Sequence, residues 1–344
     1  MNIAQLVSNL HVVFPTANNA IYSHVAWLTN GLTDLGHTVH LFAAGGSDTR
    51  GQLHSVTPAS LAHMNVPDKL KKHYMNLLAS ECYKHAKDVD IIHSHFNLIS
   101  SFYTDLVAVP TVQSIHSPPT EEVKPLLMQF KDNNYISFSF AQRKALPELN
   151  WIANIYHGVD MNIFSFNPEP QNYFLYLGRI TQDKGVHLAI AAAKEAGVSL
   201  IIVGRSYPDE SYWHDEIEKY IDGKMVRYVG EADFEKKIEW IRNAKALLFP
   251  TQYDEVFGYV MIEAMACGTP VIGWRSGSVP EVVSHERTGY VVESVSDMVK
   301  AIQKIDSISR EETRARAEKY FSVEKMVRGY EYVYARVIKE YKKK

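Results

Sequence analysis

The sequence is poor in cysteine, with only Cys82 and Cys267 among its 344 residues. The two lie far apart and fit no CxxC spacing, so the sequence predicts neither a disulfide framework nor a zinc module and favours a reducing setting. Residues 1–7 lack a basic leader and a small-residue cleavage site, and no stretch approaches the ~20 apolar residues of a membrane span. We therefore expect a cytoplasmic protein.

An excess of positive charge is also missing. The chain has 36 Lys and Arg against 39 Asp and Glu, a net charge of -3, and its basic residues are scattered, which disfavours nucleic-acid binding. A short basic cluster, Lys69, Lys71, Lys72 and His73, is typical of a solvated helix face, so peripheral membrane contact is not favoured. With 46% apolar residues, the chain has enough material for packed cores, and its length predicts two domains.

Short apolar runs alternate with segments of helical period. Apolar runs at 3–7 and 39–43 flank a helical segment at 20–35, and further runs follow at 90–93, 111–115 and 151–156. This alternation predicts parallel strands joined by crossover helices, so residues 1–157 are interpreted as one α/β domain. Residues 158–171, rich in Asn and Pro, are predicted to be a linker.

A second α/β series occupies residues 172–321. Predicted strands at 173–178, 199–204, 226–230 and 246–250 alternate with predicted helices at 185–195, 210–220 and 234–243. Doubly wound sheets bind ligands at the carboxyl ends of their strands, so the cleft between the two domains is the expected site. Residues 322–344 carry i, i+3, i+4 spacing that predicts a long amphipathic helix whose tyrosines serve packing.

The most informative motif is residues 255–272, EVFGYVMIEAMACGTPVI. A helix that begins near Gly258 and is ended by Gly268 would offer free N–H groups and a positive dipole end, which suit phosphate. Glu263 is the only charge in that helical segment, and sugar hydroxyls are suitable donors to its carboxylate. A buried Glu263 paired with an internal arginine, with Glu255 exposed, is the open alternative.

A second candidate anion site is residues 178–185, GRITQDKG, which follow a predicted strand. Arg179 and Lys184 frame a short loop, and Asp183 is positioned to cap the next helix. The Arg fork and the Lys point charge suit a diphosphate. Two solvated loop cations are the alternative.

Three histidines lie at or near predicted strand ends. His116 follows the strand at 111–115, where its imidazole suits hydrogen bonding or acid/base chemistry. His93 and His95 alternate and so share one strand face. Without a nearby third ligand they are a weak metal signal, and we predict packing and no metal site.

Taken together, these residues resemble the retaining glycosyltransferases of family 4, whose two-domain fold is called GT-B. The resemblance covers essentially the whole chain and is strongest over residues 173–292. It rests on the carboxylate pair Glu255 and Glu263, the Gly-Arg…Lys-Gly loop, and the Phe-Gly turn before EAMACGTPV. It implies an α/β protein of two Rossmann-like doubly wound domains facing across a cleft, with the C-terminal helix crossing back to the first domain.

The resemblance also implies roles by position. Glu263 is expected to bind the donor ribose hydroxyls, Glu255 the donor sugar near its reacting centre, and Arg179 and Lys184 the diphosphate. His116 is expected beside the donor sugar, which makes Glu255, His116, Arg179 and Lys184 the expected catalytic set. The remaining expected donor contacts are the backbone of Phe257 and Gly258, the turns Gly204-Arg205 and Glu231-Ala232, and the loop at Asn19-Ala20.

One position departs from the family pattern. Where many relatives carry Gly-Gly and then an acidic residue before the first long helix, this chain has Asn19-Ala20 and then Tyr22. Ala does not tolerate positive φ as Gly does, so we expect a differently shaped loop.

The activity implied is that of a hexosyltransferase. It would move a hexose from a UDP- or GDP-sugar to a small-molecule, glycan or lipid-linked acceptor, with retained configuration and without metal or cofactor. Another GT-B sugar-nucleotide enzyme, an epimerase or a phosphorylase, and a non-catalytic hinged sugar-binding protein are the alternatives. A nicotinamide dehydrogenase is disfavoured because no GxGxxG follows the first strand.

Overall fold

The computed structural model describes residues 1–17, 19–206 and 211–343, which form two compact units. Unit 1 is Met1–Gly158 together with the segment from Val323 onward, and unit 2 is Val159–Ser322. Residues 158–171, the predicted linker, contain no helix or strand. Val159 nevertheless pairs with Ser322 in an isolated β-bridge within unit 2.

Unit 1 is built on a seven-stranded sheet in the order β3-β2-β1-β4-β5-β6-β7, with every pairing parallel. Its strands are β1 (Asn2–Leu6), β2 (Thr38–Phe42), β3 (Gln52–His54), β4 (Ile91–Ser94), β5 (Thr111–Ser114), β6 (Tyr135–Ser137) and β7 (Trp151–Asn154). The α-helices that the structure describes between them are α1 (Ala20–Asp34), α2 (Asp68–Lys84), α3 (Lys124–Met128) and α4 (Phe140–Lys144). Residues of the central strands β4 and β5 are buried throughout, as expected when both faces of a parallel sheet are covered.

Unit 2 contains a six-stranded sheet in the order β10-β9-β8-β11-β12-β13, again all parallel. Its strands are β8 (Phe174–Leu177), β9 (Leu200–Val203), β10 (Val226–Tyr228), β11 (Ala246–Phe249), β12 (Val271–Trp274) and β13 (Gly289–Val292). Its helices are α5 (Val186–Ala196), α6 (Phe234–Asn243), α7 (Tyr259–Ala266), α8 (Val279–Val282), α9 (Val295–Gln303) and α10 (Arg310–Tyr320). The two sheets confirm the predicted pair of Rossmann-like doubly wound units.

One predicted helix, at 210–220, takes another form. Glu210 lies outside the described residues, and the segment that follows is a π-helical turn (Trp213–Ile217) and a 3-10 turn (Glu218–Tyr220) rather than a regular α-helix. The predicted helix is therefore confirmed over the described residues 211–220, but most of it is π-helical or 3-10 rather than α-helical.

The start of α1 has an ordinary backbone. Asn19 is its N-cap at φ -104°, and its side chain accepts a hydrogen bond from the Ile21 N–H at 3.1 Å. Neither Asn19 nor Ala20 adopts positive φ, which among the described non-glycine residues occurs at Glu286 alone. Without the Gly-Gly pair, this loop has an unstrained backbone, and the Asn19 side chain caps the helix.

In each unit the strand order reverses beside the first strand. The reversal lies between β1 and β4 in unit 1, and between β8 and β11 in unit 2. Loops that leave neighbouring strands at such a point diverge to opposite faces of the sheet and leave a crevice for ligands. The loops after β8 and β11 therefore border the expected crevice of unit 2, and those after β1 and β4 border that of unit 1.

The final helix, α11 (Val323–Tyr341), belongs to unit 1, where it packs against α1. Its buried face includes Tyr330 and Tyr334, whereas Tyr332 is 69% exposed and Tyr341, which shares the predicted spacing, is 40% exposed. The prediction that tyrosines of this helix serve packing is thus confirmed for the two on the inner face. Gly31 of α1 allows the approach, because a Cβ there would stand 2.5 Å from a Val327 methyl.

The basic cluster of α2 lies near its N-terminus. Lys69, Lys72 and His73 are exposed, and Lys71 forms an ion pair with Asp68 at 2.6 Å.

Among the helices that the structure describes, none has the length and apolar content needed to cross a bilayer.

We predict that Gly31→Ala destabilises the protein. Alanine normally favours a helix interior over glycine by about 1 kcal/mol, but overpacking against Val327 should cost about 1–3 kcal/mol. Urea unfolding measures the net change. In a Val327→Ala background the space exists and Gly31→Ala should be neutral or stabilising, so an equal loss in both backgrounds would contradict the packing explanation.

Candidate functional site

Three side chains from the loops after β8 and β11 form a closed polar triangle in unit 2. Lys184 forms an ion pair with Glu255 and donates to the Tyr253 hydroxyl at 2.6 Å. The Tyr253 hydroxyl in turn donates to Glu255 Oε2 at 2.6 Å. The side chains of Lys184 and Glu255 are only 15% and 17% exposed. Lys184 is therefore not a solvated loop cation, and Glu255 is not the exposed carboxylate of the other alternative.

Tyr253 is a site residue that the motif search missed. Burial, with a further contribution from the Glu255 carboxylate, raises the pKa of Tyr253 above its usual range. The phenol therefore keeps its proton and acts as a donor to Glu255. The available signal was its position two residues before Glu255, in the same loop.

The loop after β12 supports the backbone around Glu255. The Ser278 N–H donates to the Glu255 carbonyl at 3.2 Å, and the Ser278 hydroxyl donates to the Phe257 carbonyl at 2.6 Å. Gly277 is required there, because its φ is +44° and a Cβ would lie 2.3 Å from the backbone carbonyl oxygen of Glu255. Glu255 is thus held on a supported turn, before rather than within α7.

Helix α7 begins where the sequence predicts. Gly258 is its N-cap at φ +79° and makes no side-chain cap, so the positive dipole end of the helix lies at this loop without a capping side chain from Gly258. Gly268 follows the helix at φ +81° and ends it. Phe257 is 2% exposed, so its side chain belongs to the core and only its backbone is suited to ligand contact.

Glu263 lies inside α7 and is buried, as predicted for the lone carboxylate of the helix. Its partner is Lys237 of α6, whose Nζ is 2.7 Å from Glu263 Oε1. The alternative of an internal arginine partner is therefore wrong in its residue type. Lys237 was missed because nothing in the α6 sequence distinguishes it from its neighbour Lys236, which is exposed.

The loop after β8 differs from expectation at Asp183. The segment Gln182–Lys184 is a 3-10 turn, and the N-cap of α5 is Gly185 at φ +72°, without a side-chain cap. Asp183 therefore does not cap the helix. Gly185 permits the two loops to meet, since a Cβ there would be 2.3 Å from the Pro250 carbonyl oxygen. The Arg179 side chain is exposed and forms no ion pair with the described residues.

The predicted turns after β9 and β10 adjoin this loop. The Gly204 N–H donates to the Gly230 carbonyl at 2.9 Å, and the Ile180 N–H donates to the Arg205 carbonyl at 3.0 Å. Gly204 has no room for a Cβ, which would fall 1.8 Å from the Gly178 oxygen. Glu231 and Ala232 follow Gly230 directly, with Glu231 exposed. Backbone contacts thus join three of the sequence-predicted loops of unit 2.

Unit 1 contains a second cluster of polar groups, which we call the histidine cluster: His24, His93, His95, His116 and His157. Ring centroids are 4.0 Å apart for His93 and His95, 5.2 Å for His95 and His116, and 4.7 Å for His24 and His157. Burial of His93 and His95 on one strand face confirms the predicted packing. No sequence pattern indicates further histidines around them, because His24 and His157 come from α1 and the segment after β7.

Among the described residues, His24, His95 and His116 are the one group whose ligand atoms lie close enough for a metal, within 4.8 Å of one another. Their spacing suits hydrogen bonds better. His95 Nδ1 and His116 Nε2 are 2.9 Å apart, and the Nδ1 atoms of His24 and His157 are 3.0 Å apart. Two nitrogens on a tetrahedral metal with bonds of ~2.0–2.1 Å stand about 3.3 Å apart. We therefore interpret the cluster as hydrogen-bonded.

Burial keeps these imidazoles neutral. It lowers the pKa of all five, and for four of them the neighbouring histidines add to the effect. For His116, which is partly exposed, burial lowers the pKa to about 3. At neutral pH, His116 can donate or accept a hydrogen bond but provides no positive charge.

Acid should destabilise unit 1 through these histidines. A histidine whose pKa falls from 6.5 unfolded to about 3 folded stabilises the native state fully above pH 6.5 and progressively less below it. For His116 alone the loss at pH 5 is about 2 kcal/mol. We expect wild-type protein to lose more stability than His116→Gln between pH 7.5 and 5 in urea unfolding, and equal slopes would contradict this.

The Lys237–Glu263 pair gives a second prediction. Lys237→Met removes the counter-ion of a buried carboxylate and should lower the free energy of unfolding by about 2 kcal/mol. Lys237→Met combined with Glu263→Gln should recover most of that loss, since no charge is then left unpaired. Lys236→Met, an exposed position on the same helix, is the matched control for urea unfolding. Additive losses in the double variant would contradict the pairing.

Comparison with known proteins places this geometry in a family. The model for Glycosyltransferase Family 4 matches residues 23–164, and the model for Glycosyl transferases group 1 matches residues 161–322. A glycosyltransferase of Methanocaldococcus jannaschii, MJ1178, is 25% identical over 72% of this chain and 76% of its own length. The chain spans only 36% of the glycogen synthase of Mycobacterium tuberculosis, at 32% identity over 42% of this chain.

Solved structures agree on the fold. The sucrose-phosphate synthase of Thermosynechococcus elongatus superimposes with a TM-score of 0.77 at 21% identity, over 98% of this chain and 99% of its own. Anabaena HepE in complex with UDP and glucose gives 0.74 at 18% identity, over 97% and 99%. The two glycosyltransferase models together match residues 23–322, and with this fold the protein belongs to the glycosyltransferases of family 4 and has the GT-B fold.

Proposed function

We propose that the protein is a hexosyltransferase that moves a hexose from a nucleotide diphosphate sugar to an acceptor hydroxyl, with retained configuration and without a metal ion. The observation that carries the proposal is the convergence, at the switch point of unit 2, of Lys184, Glu255 and the uncapped start of α7. A cation beside the start of a helix suits a diphosphate, and a carboxylate beside them suits sugar hydroxyls.

Glu263 and Lys237 are proposed to receive the ribose. Lys237 contacts Oε1 of Glu263, so the second carboxylate oxygen is the natural acceptor for ribose hydroxyls. The ion pair also provides the partner that a buried carboxylate needs. The turns Gly204-Arg205 and Glu231-Ala232, joined by backbone contacts, are proposed to border the base.

Arg179 and Lys184 are proposed to hold the diphosphate. Arg179 is exposed and makes no ion pair in the described part of the chain, so its fork is available for phosphate oxygens. Lys184 contacts Glu255 before a donor arrives and would exchange part of that contact for phosphate. The backbone of Phe257 and Gly258 would add N–H donors, because Gly258 begins α7.

In the proposed reaction the bond from the anomeric carbon to the phosphate oxygen breaks, and a bond from that carbon to the acceptor oxygen forms on the same face. The acceptor proton passes to the departing phosphate oxygen. Arg179, Lys184 and the α7 N–H groups stabilise the charge that develops on the diphosphate, a contribution that often dominates catalysis. Glu255 would orient the sugar, and neutral His116 and the Asn19-Ala20 loop would offer hydrogen bonds rather than charge.

Calorimetric titration with UDP, GDP and ADP in EDTA tests the donor site. UDP is the first probe because HepE is solved with UDP and glucose. We expect one nucleotide to bind without metal and to bind at least tenfold more weakly to Arg179→Ala and Glu263→Ala. Arg287→Ala is the matched control in the same unit, since Arg287 is 73% exposed and pairs only weakly with Glu312, and it should change affinity less than twofold.

The titration selects the sugar panel for acceptor screening, in which NMR gives the anomeric configuration of the product. An α-linked product from an α-linked donor is expected. Binding that requires a divalent metal, or inversion in the product, would contradict the proposal. Donor conversion without any acceptor would point to an epimerase instead.

A further inference from the structure

Gln5 of β1 connects the histidine cluster to α11 through one amide group. Its Oε1 accepts a hydrogen bond from His95 Nε2 at 2.8 Å, and its Nε2 donates to the Tyr334 hydroxyl at 3.0 Å. Gln5 and Tyr334 are fully buried, and His95 is 4% exposed. Buried polar groups are satisfied by such partners, so the amide orientation fixes which neighbour donates and which accepts.

The direction set by Gln5 continues on both sides. On one side, the Tyr334 hydroxyl accepts from Gln5 and therefore gives its proton to His93 Nδ1 at 2.5 Å, which leaves His93 Nε2–H to donate to Ser114 Oγ at 2.8 Å. On the other, His95 carries its proton on Nε2, so its Nδ1 must accept from His116 Nε2 at 2.9 Å. One amide thus assigns the Nε2–H tautomer to His93, His95 and His116.

Turning the Gln5 amide over would reverse every bond in the series. His95 Nε2 would then accept, its Nδ1–H would donate to His116 Nε2, and His116 would carry its proton on Nδ1. Since the imidazoles are neutral, each has one donor and one acceptor, and no intermediate arrangement satisfies all partners. This chain of hydrogen bonds therefore has two possible directions. The direction determines which ring nitrogen of His116, its one partly exposed member, carries the proton.

We propose that Gln5 and Tyr334 are positioning residues that hold His116 in the Nε2–H tautomer and so present its Nδ1 as a hydrogen-bond acceptor. The ligand group this suits is a hydroxyl that donates, rather than a carbonyl or a phosphate oxygen. The link to a sugar hydroxyl rests on the proposed function, whereas the tautomer itself does not.

The tautomers can be observed directly in wild-type protein. Long-range ¹H–¹⁵N correlation spectra of ¹⁵N-histidine-labelled protein in EDTA distinguish a protonated ring nitrogen from an unprotonated one. Assignment uses His93→Gln, His95→Gln and His116→Gln. We expect Nε2–H for all three residues, and a proton on Nδ1 of any of them would overturn the proposal.

Variants test the cause. Tyr334→Phe keeps the packed ring but removes the hydroxyl that fixes the Gln5 amide, so His95 and His116 should become mixtures of tautomers. Tyr332→Phe, on the exposed face of the same helix, is the control and should change nothing. Gln5→Glu keeps an oxygen acceptor toward His95 and should preserve Nε2–H at His116, whereas Gln5→Leu should not. Unchanged His116 spectra in Tyr334→Phe and Gln5→Leu would overturn the proposal.

Turnover of UDP-glucose adds a functional readout. A hydroxyl that meets a mixed population of His116 tautomers should be used less well, and we expect kcat/KM of Tyr334→Phe to fall about fivefold, as for loss of one neutral hydrogen bond. If no sugar nucleotide is turned over, the spectra still decide the tautomer, so failure of the proposed function is distinguishable. Stoichiometric ZnCl₂ that shifts the three histidines together would identify a metal site and overturn the hydrogen-bonded assignment.

Discussion

Parallel pairing is the constraint on which the rest of this structure depends. Every pairing of the seven strands of unit 1 and the six of unit 2 is parallel, so each connection must return across the sheet before the next strand begins. All strands of a sheet then finish at one edge, and the loops that follow them meet there. For this reason Lys184 and Glu255, 71 residues apart, form an ion pair. For the same reason His95 and His116 form a hydrogen bond.

The site in unit 2 and the histidine cluster in unit 1 both bury polar side chains, and each avoids an unpaired buried charge in its own way. In unit 2 each carboxylate has an ammonium partner, Lys184 for Glu255 and Lys237 for Glu263. In unit 1 the histidine cluster is instead held neutral by its own burial. The first arrangement suits recognition of charged and hydroxylated groups, and the second provides uncharged hydrogen bonding of fixed direction.

The fold was largely predictable because its long elements carry strong periodicity and clear end signals. Helix α6 begins and ends as the sequence predicts, with Asp233 capping its first turn, and α7 lies between two glycines of positive φ. The three-residue strands β3 and β6 were not predicted, since such short segments show no measurable period; the equally short β10 was predicted only as part of the longer run 226–230. Residues 213–220 carry apolar spacing that fits a helix, but spacing alone does not distinguish α from wider or tighter turns.

At the site, the sequence identified residues that follow strands or begin helices, such as Arg179, Lys184, Glu255, Gly258 and His116. It did not identify their partners. Lys237 and Tyr334 lie within helices, and Gln5 lies within a strand, where nothing marks them as different from residues that only pack or face solvent. Their roles arise from contacts over long sequence distances, up to 329 residues between Gln5 and Tyr334, which no local pattern reports.

The placement of α11 in unit 1 also has a consequence for folding during synthesis, because unit 1 is completed by the segment that is made after unit 2. Unit 2 occupies the sequence between the first 158 residues and Val323, so a growing chain can complete unit 2 while unit 1 still lacks its last helix. Until α11 docks, α1 exposes the face around Gly31, and the Gln5 amide has no tyrosine hydroxyl to fix it. Unit 1 thus cannot reach its native state before the segment from Val323 onward is available, and the tyrosine that fixes the Gln5 amide arrives only with α11.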